Sequence, residues 1–332
     1  MPSVSWAAKK VLVTGAGGFI GSHLCEALVD AGARVTALIR YSSRSDWGNL
    51  EHLPQEKRVG LEVVPGNVED PHFVLRALDG HDVVFHLAAL ITIPHSYVAP
   101  SSYPRTNVEG TLNVLEAARF HGTPRVIHTS TSETYGTAQY TPMDEKHPLQ
   151  AQSPYAASKI GGDKLAESYW RAFGVPVATL RPFNAYGPRQ SARGVIPSIV
   201  SQAMFGSEVR LGNLQPVRDM TYVSDTVAAF MAIATCDAAI GDVVNVGSGS
   251  GISIADLART ILALLGKQLP VVVDEERVRP HSSEVHELVC DSRKAARLFG
   301  WSPTVKLEDG LARTIEFVRA HPDLFKPGVY AR

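Results

Sequence analysis

Residues 11–24, VLVTGAGGFIGSHL, join an apolar run of strand length to the start of a helix through a turn with glycine at 15, 18 and 21. Few junctions restrict a fold so strongly. Glycine at that spacing permits positive φ at Gly15, close approach of the backbone to a ligand at Gly18, and close helix-to-strand contact at Gly21. A helix begun this way leaves its first N–H groups and the positive end of its dipole open to an anion. Tight strand-to-helix turns also exist without ligands, so this one gains weight from the residues after it.

Those residues alternate in texture. The apolar runs RVTALI, LEVV, DVVFHLAA, RVIHTS and VPVATLRPF are separated by segments of helical period: FIGSHLCEALVDAG, then about 71–79, 103–121 and 155–173. Strands spaced by helices predict an α/β fold, a doubly wound parallel sheet of the Rossmann type. The expected layout is a dinucleotide-binding domain over 1–184 and a smaller C-terminal region over 185–332 that mainly binds substrate. The shorter elements and Gly/Pro-rich texture of NAYGPRQSARG and VGSGSGIS mark the change. A helix near 222–235 reads as a return to the first domain.

Composition excludes several function classes. With 32 Lys and Arg against 33 Asp and Glu, a net charge of -1 gives no global field for nucleic acid or an anionic membrane. The most apolar run, VVFHLAALITI at 83–93, is too short to span a bilayer, and MPSVSWAAKK lacks the layout of a signal peptide. Cys25, Cys236 and Cys290 are far apart and show no metal-ligand spacing. The expectation is a cytoplasmic protein without a metal site, in which His86, His95 and His128 are packed or hydrogen-bonded.

The second strand, ARVTALIR, ends in Arg40, about where an NAD-preferring fold carries an acid for the ribose hydroxyls. Arg40, with Ser43 and Arg44 just beyond it, suits a 2′-phosphate instead, so NADP is the expected cofactor and NAD the alternative; a solvated loop is the other reading of these residues. Phe19 and Ile20 in the glycine turn, Asn67 and Val68 after the third strand, and Leu87, Ala88 and Ala89 after the fourth would line the dinucleotide crevice, with Thr129 and Pro182 at later strand ends.

YAASK places Tyr155 and Lys159 four residues apart on one helix face. An ammonium near a phenol favours the phenolate, which lets Tyr155 accept a proton from a substrate hydroxyl near neutral pH. A lone YxxxK is commonly just a surface pair; behind a glycine turn and the hydroxyl-rich STSETYG at 130–136 it is far more specific.

TGAGGFIG at 14–21, FHLAA at 85–89, TNVEGTLNVLEAA at 106–118, STSETYG, YAASK, RPFNAYGPRQ at 181–190 and RDMTYVSD at 218–225 stand in the order and spacing of one family. Over nearly its whole length the chain resembles the extended short-chain dehydrogenases/reductases that act on nucleotide sugars. The resemblance implies that Thr131 hydrogen-bonds the sugar 4-hydroxyl, that Tyr155 deprotonates it while hydride leaves C4, and that Lys159 also holds the nicotinamide ribose. It carries Thr92, Asn184, Val195, Arg218 and Arg279 over as contacts to the sugar nucleotide or its diphosphate, and implies a homodimer.

Glu133 then matters most. Epimerization at C4 needs no base beyond Tyr155, whereas a 4,6-dehydratase needs one to remove the C5 proton before the C6 hydroxyl leaves and hydride returns to C6. In dTDP-glucose 4,6-dehydratases an Asp-Glu pair is usual here; Ser132 takes the Asp place, as in GDP-mannose 4,6-dehydratases, where the glutamate serves both steps. UDP-glucuronate-type decarboxylases share Thr-Ser-Glu, so they and the epimerases stay open. A nucleotide-sensing protein that has lost catalysis would typically lack Tyr or Lys. AALITIPHSYVAPSSY at 88–103 and RPHSSEV at 279–285 look most like the 4,6-dehydratases of nucleotide-linked N-acetylglucosamine used for legionaminic-type sugars. Thr134 departs from the Val or Leu of most relatives.

Overall fold

The computed structural model describes residues 5–325. β1 (Lys10–Thr14) passes through the glycine turn into α1 (Phe19–Asp30), then β2 (Arg34–Arg40), α2 (Gln55–Arg58), β3 (Leu61–Gly66), α3 (Pro71–Ala77) and β4 (Val83–His86). Next come α4 (Ile93–Val98), α5 (Gly110–His121), β5 (Val126–Thr129), α6 (Pro154–Phe173) and β6 (Val177–Pro182). The helix expected over 103–121 changes winding: Pro104–Glu109 is π-helical and only then does α5 begin.

The chain continues through β7 (Asn184–Tyr186), α7 (Val195–Phe205), β8 (Val209–Leu211), β9 (Val217–Tyr222), α8 (Val223–Ala234) and β10 (Val243–Val246). It ends in β11 (Gly251–Ser253), α9 (Ile254–Leu264), β12 (Val271–Val273), β13 (Glu287–Leu288), α10 (Arg293–Phe299) and α11 (Leu307–Ala320).

The main sheet has seven parallel strands in the order β10-β6-β5-β4-β1-β2-β3. Its outer strand β10 comes from far beyond residue 184. Because side chains alternate along a strand, Val11 and Val13 of β1 enter one core layer and Leu12 the other. The first layer packs Leu24 and Leu28 of α1 with Val227 and Phe230 of the returning α8; the second packs Val114 and Leu115 of α5 with Ala166 of α6. Helices on both faces leave β4 and β6 buried throughout, which is why those strands are mostly apolar and why their polar residues, His86, Thr179 and Arg181, are buried as well.

The order places β4 and β2 on opposite sides of β1. The connections leaving β1 and β4 therefore diverge at their carboxyl ends and open a crevice there, where such sheets bind ligands. A second sheet centres on β9, with β7 and β13 parallel to it and β11 antiparallel. It carries Asn184 on β7 and Arg218 on β9 to the side of the crevice.

Candidate active site

The glycine turn is built for a ligand that needs backbone close by. Gly15 has φ +71°, and a Cβ there would stand 2.8 Å from the amide nitrogen of Ala88; one at Gly21 would stand 2.2 Å from the carbonyl oxygen of Gly15. Gly18 caps α1 without any side-chain bond, and the first turn holds no acid, so the helix N-terminus is open to an anion. This Cβ-free cradle fits a dinucleotide pyrophosphate.

Behind it lies a buried relay. Thr14 Oγ1 accepts from the backbone N–H of Leu87 (3.2 Å) and Ala88 (3.1 Å), so its own proton faces His86 Nδ1 at 2.9 Å. His86 Nε2 then donates to Thr111 Oγ1 at 3.0 Å, and Thr111 donates to the Asn107 carbonyl at 2.7 Å. Burial pushes the His86 pKa well down, which agrees with a neutral ring serving as a spacer between β1, β4 and α5.

A cleft of about 720 Å³ runs from Gly15, Gly18, Phe19 and Ile20 past Leu87, Ala89, Thr129 and Pro182 to Arg218 and Arg279. Thr131, Ser132, Glu133, Tyr155 and Lys159 line its middle, and Thr92, Asn184 and Val195 its far part. The structure thus brings together all five candidate catalytic residues and all five candidate substrate residues. Four buried polar atoms on this lining lack a hydrogen-bond partner: Thr129 Oγ1, Asn184 Oδ1, Gln190 Oε1 and an Arg279 guanidinium nitrogen. Buried polar groups are normally paired, so their concentration here points to a polar ligand.

Ser153 caps α6 by accepting from Ala156 N, with Pro154 at the first helical position. Tyr155, Lys159 and Asp163 therefore succeed one another on a buried face. Lys159 Nζ donates to the Thr129 carbonyl at 2.6 Å, and burial lowers its pKa to about 8 against the raising influence of Asp163. The expected lowering of the phenol by Lys159 is not found. Burial raises the Tyr155 pKa and the charge of Glu133 raises it further, while the Thr131 hydroxyl is the contact that lowers it; the ammonium is committed to a carbonyl instead.

Glu133 sits in a 3-10 turn, Ser132–Tyr135, whose cap is Thr131: Thr131 Oγ1 accepts from Glu133 N at 3.3 Å. The glutamate does not brace its own loop. It is 8% exposed on the cleft wall, and its charge reaches both Tyr155 and Arg218. Thr134 turns away, donating to the Thr131 carbonyl at 2.7 Å, so the departure from Val or Leu is absorbed inside the turn.

Six expected cofactor residues lie off the cleft lining. Arg40, Ser43 and Arg44 are exposed at and beyond the end of β2. Asn67 is also exposed, its Oδ1 accepting from Glu69 N at 3.1 Å, and Val68 is buried in the core. Ala88 presents its backbone N–H to Thr14. Sequence reasoning misses Asn49, Gln190 and Glu284, which do line the cleft. Glu284 stands 3.8 Å from both Arg218 and Arg279. The RPHSSE run at 279–284, with an acid five residues after Arg279, is the signal that could have identified it.

Directly behind STSETYG is a second arginine-carboxylate cluster. Asp163 accepts from His128 Nε2 (3.0 Å), from the Ser130 hydroxyl (2.6 Å) and from Arg181 (2.9 Å). Arg181 also donates to Ser130 Oγ at 3.1 Å and to Tyr135 at 2.6 Å, and lies over the Tyr135 ring. His128 and the Arg181 charge hold the Asp163 carboxyl far below the usual range despite its burial.

The family model described as "GDP-mannose 4,6 dehydratase" matches residues 12–314, spanning the glycine turn, the catalytic centre and both substrate arginines. The chain belongs to this family. Its relatives include the dTDP-glucose 4,6-dehydratase of Streptomyces griseus, 35% identical over 97% of each chain. They also include a UDP-glucose 4-epimerase of Mycolicibacterium smegmatis, 34% identical over 93% of this chain and 98% of that one. The solved dTDP-glucose 4,6-dehydratase DesIV of Streptomyces venezuelae, with NAD bound, superposes with a TM-score of 0.85 at 30% identity, covering 96% of this chain and 99% of that one. The chain is an extended short-chain dehydrogenase/reductase of the nucleotide-sugar dehydratase/epimerase group. Identity alone does not separate dehydratase from epimerase, since the two values differ by a single percentage point. Among the described residues no helix is long and apolar enough to cross a membrane, and no group of His, Cys, Asp and Glu could hold a metal ion.

Proposed function

We propose that the protein is a nucleotide-sugar 4,6-dehydratase that converts UDP- or GDP-N-acetylglucosamine to the 4-keto-6-deoxy sugar. The observation that carries the reading is Glu133: a carboxylate on the wall of the cleft, not used as a cap, whose charge is felt by Tyr155 and by Arg218. A C4 epimerase has no use for an acid there. In the proposed cycle Tyr155 accepts the C4 hydroxyl proton with Thr131 orienting that hydroxyl, and Glu133 takes the C5 proton made acidic by the new ketone. The C6 hydroxyl departs as water with a proton returned from Glu133, Ser132 standing beside it; when hydride is returned at C6, a solvent proton passed through Glu133 adds to C5 while Tyr155 releases its own to solvent. A dinucleotide held in the Gly15–Gly18 cradle would supply the hydride acceptor for C4 and the hydride donor for C6, so no net reductant would be consumed.

Gly15, Gly18 and the α1 N-terminus would hold the pyrophosphate, and Lys159 the ribose. Arg40, Ser43 and Arg44, exposed at the end of β2 where no acid stands, support NADP over NAD. Arg218, Arg279 and Asn184 would hold the sugar nucleotide. The assembly proposed is a homodimer, checked by sedimentation of the full chain.

The test is incubation with UDP- and GDP-N-acetylglucosamine, then mass spectrometry. A product one water lighter, with no accumulation of reduced cofactor, is expected. Loss of carbon dioxide from a glucuronate analogue, or a change of configuration at constant mass, would refute the dehydratase reading.

A further inference from the structure

The segment 279–286 carries Arg279 and Glu284 into the cleft and is fastened to the catalytic loop at two side chains: the Thr137 hydroxyl, which donates to the Glu284 carbonyl at 3.4 Å and accepts from His286 N at 3.3 Å, and Gln152, which reaches furthest. Gln152 Oε1 accepts from the backbone N–H of Thr137 at 2.5 Å, four residues after Glu133. Its Nε2 donates to the carbonyls of Ser282 (3.3 Å) and Glu284 (3.0 Å), while its own carbonyl accepts from the Ser283 hydroxyl. The next residue, Ser153, is the cap that starts the Tyr155 helix. One carboxamide thus uses an acceptor and two donors to join the Glu133 loop, the start of α6 and the arginine-bearing segment.

We propose that Gln152 is a positioning residue that couples occupancy of the Arg279 segment to the placement of Glu133 and Tyr155. The proposal rests on the sugar-nucleotide reading: an anion gripped by Arg279 and Arg218 would tighten 279–286, and Gln152 would pass that order to the loop that carries the base. An amide is required because a carboxylate would set two more acceptor lone pairs against the carbonyls of Ser282 and Glu284, and a hydrocarbon would take the side-chain partner from Thr137 N and the Ser282 carbonyl and leave Glu284 only the longer bond from Thr137. Ser283 anchors the far side of the segment, its hydroxyl 2.6 Å from the Tyr97 phenol.

The test uses the full chain as Gln152→Leu and Gln152→Glu, with hydrogen exchange measured with and without UDP or GDP. In the wild type, nucleotide should slow exchange both in 279–286 and in 133–138. In Gln152→Leu the first protection should remain and the second be markedly reduced, with dinucleotide affinity unchanged and the melting temperature somewhat lower for the backbone groups left without a partner. Gln152→Glu keeps the acceptor for Thr137, so exchange in 133–138 should match wild type without nucleotide but fail to respond to it. With a substrate that is turned over, kcat should fall roughly tenfold to a hundredfold, as expected for a small misplacement of reacting groups. Equal nucleotide protection of both segments in wild type and both variants overturns the proposal, as does absence of any protection of 279–286 in the wild type. Nucleotide-dependent protection without turnover of any sugar nucleotide would refute the dehydratase reading and leave the coupling standing.

Discussion

Two arginine-carboxylate clusters lie on either side of the catalytic loop, and they are built oppositely. Behind the loop, Asp163 and Arg181 are 2.9 Å apart, and His128, Ser130 and Tyr135 complete their bonding. In the cleft, Glu284 stands 3.8 Å from both Arg218 and Arg279, beyond hydrogen-bond reach, so that a buried Arg279 nitrogen has this loose ion pair and no hydrogen-bond partner. Burial lowers the pKa of Arg218, whereas the charges around Arg181 raise its pKa despite burial. A buried ion pair repays its desolvation only when the geometry is good and the remaining donors are satisfied. The first cluster meets that condition and fixes the strand end under STSETYG. The second does not, and its unmet donors suit an incoming diphosphate.

The largest expected effect comes from Glu133→Gln, which removes the acid of the open side. Turnover should fall by roughly 10²–10⁴-fold, the usual worth of a general base. The chain should still fold, bind dinucleotide and oxidize C4, visible as reduced cofactor absorbing in the near ultraviolet. Unchanged release of the water-loss product would remove the base role.

Asp163→Ala attacks the closed side and strands Arg181 as an uncompensated buried charge, at a cost of about 3–5 kcal/mol. Denaturant titration measures it. The folded-state pKa of Asp163 is lowered, so its contribution is complete above the unfolded value of 3.8 and is lost as pH falls below it. Wild type should therefore lose stability steeply below about pH 4, and Asp163→Asn should flatten that slope; parallel slopes would mean the carboxylate is not held as described.

Arg218→Met should show the reverse pattern. Loss of a charge-assisted contact weakens UDP or GDP binding by about 1.5–3 kcal/mol, roughly tenfold to a hundredfold, by calorimetry. Melting should be unchanged or higher, because the variant removes a poorly paired buried charge. A fall in melting temperature with nucleotide affinity intact would make the two clusters alike. Smallest is Arg40→Ala. An exposed arginine contributes about 0.2–1 kcal/mol, so NADP binding should weaken by no more than about fivefold with NAD binding unaltered; equal losses for both would assign Arg40 no part in the choice between them.

The clusters also show what a sequence displays and what it conceals. Tyr155, Lys159, Thr131 and Glu133 are legible because they stand in short motifs, and the helical step and the strand end fix their directions. Arg181 is visible only as part of a family motif, since Asp163, His128 and Ser130 come from two other elements and nothing local links them. Glu284 escapes notice because its role arises where β9 and the 279–286 segment meet, far apart along the chain. The direction of the Tyr155 pKa is hidden for a related reason. Spacing puts Tyr155 and Lys159 on one face, but Lys159 bonds to a carbonyl of β5, which helical periodicity does not contain.

By itself the sequence determined the alternating α/β order, the ligand-ready glycine turn and the loop that holds an acid between a hydroxyl and a tyrosine. Those come from local periods, from the φ only glycine adopts easily, and from contiguous motifs. Tertiary structure decided which charges are paired and which are left open, the pKa directions of Tyr155 and Lys159, and the joining of the 279–286 segment to the catalytic loop by Gln152. Desolvation and pairing depend on neighbours brought in by the fold, and no spacing along the chain specifies them.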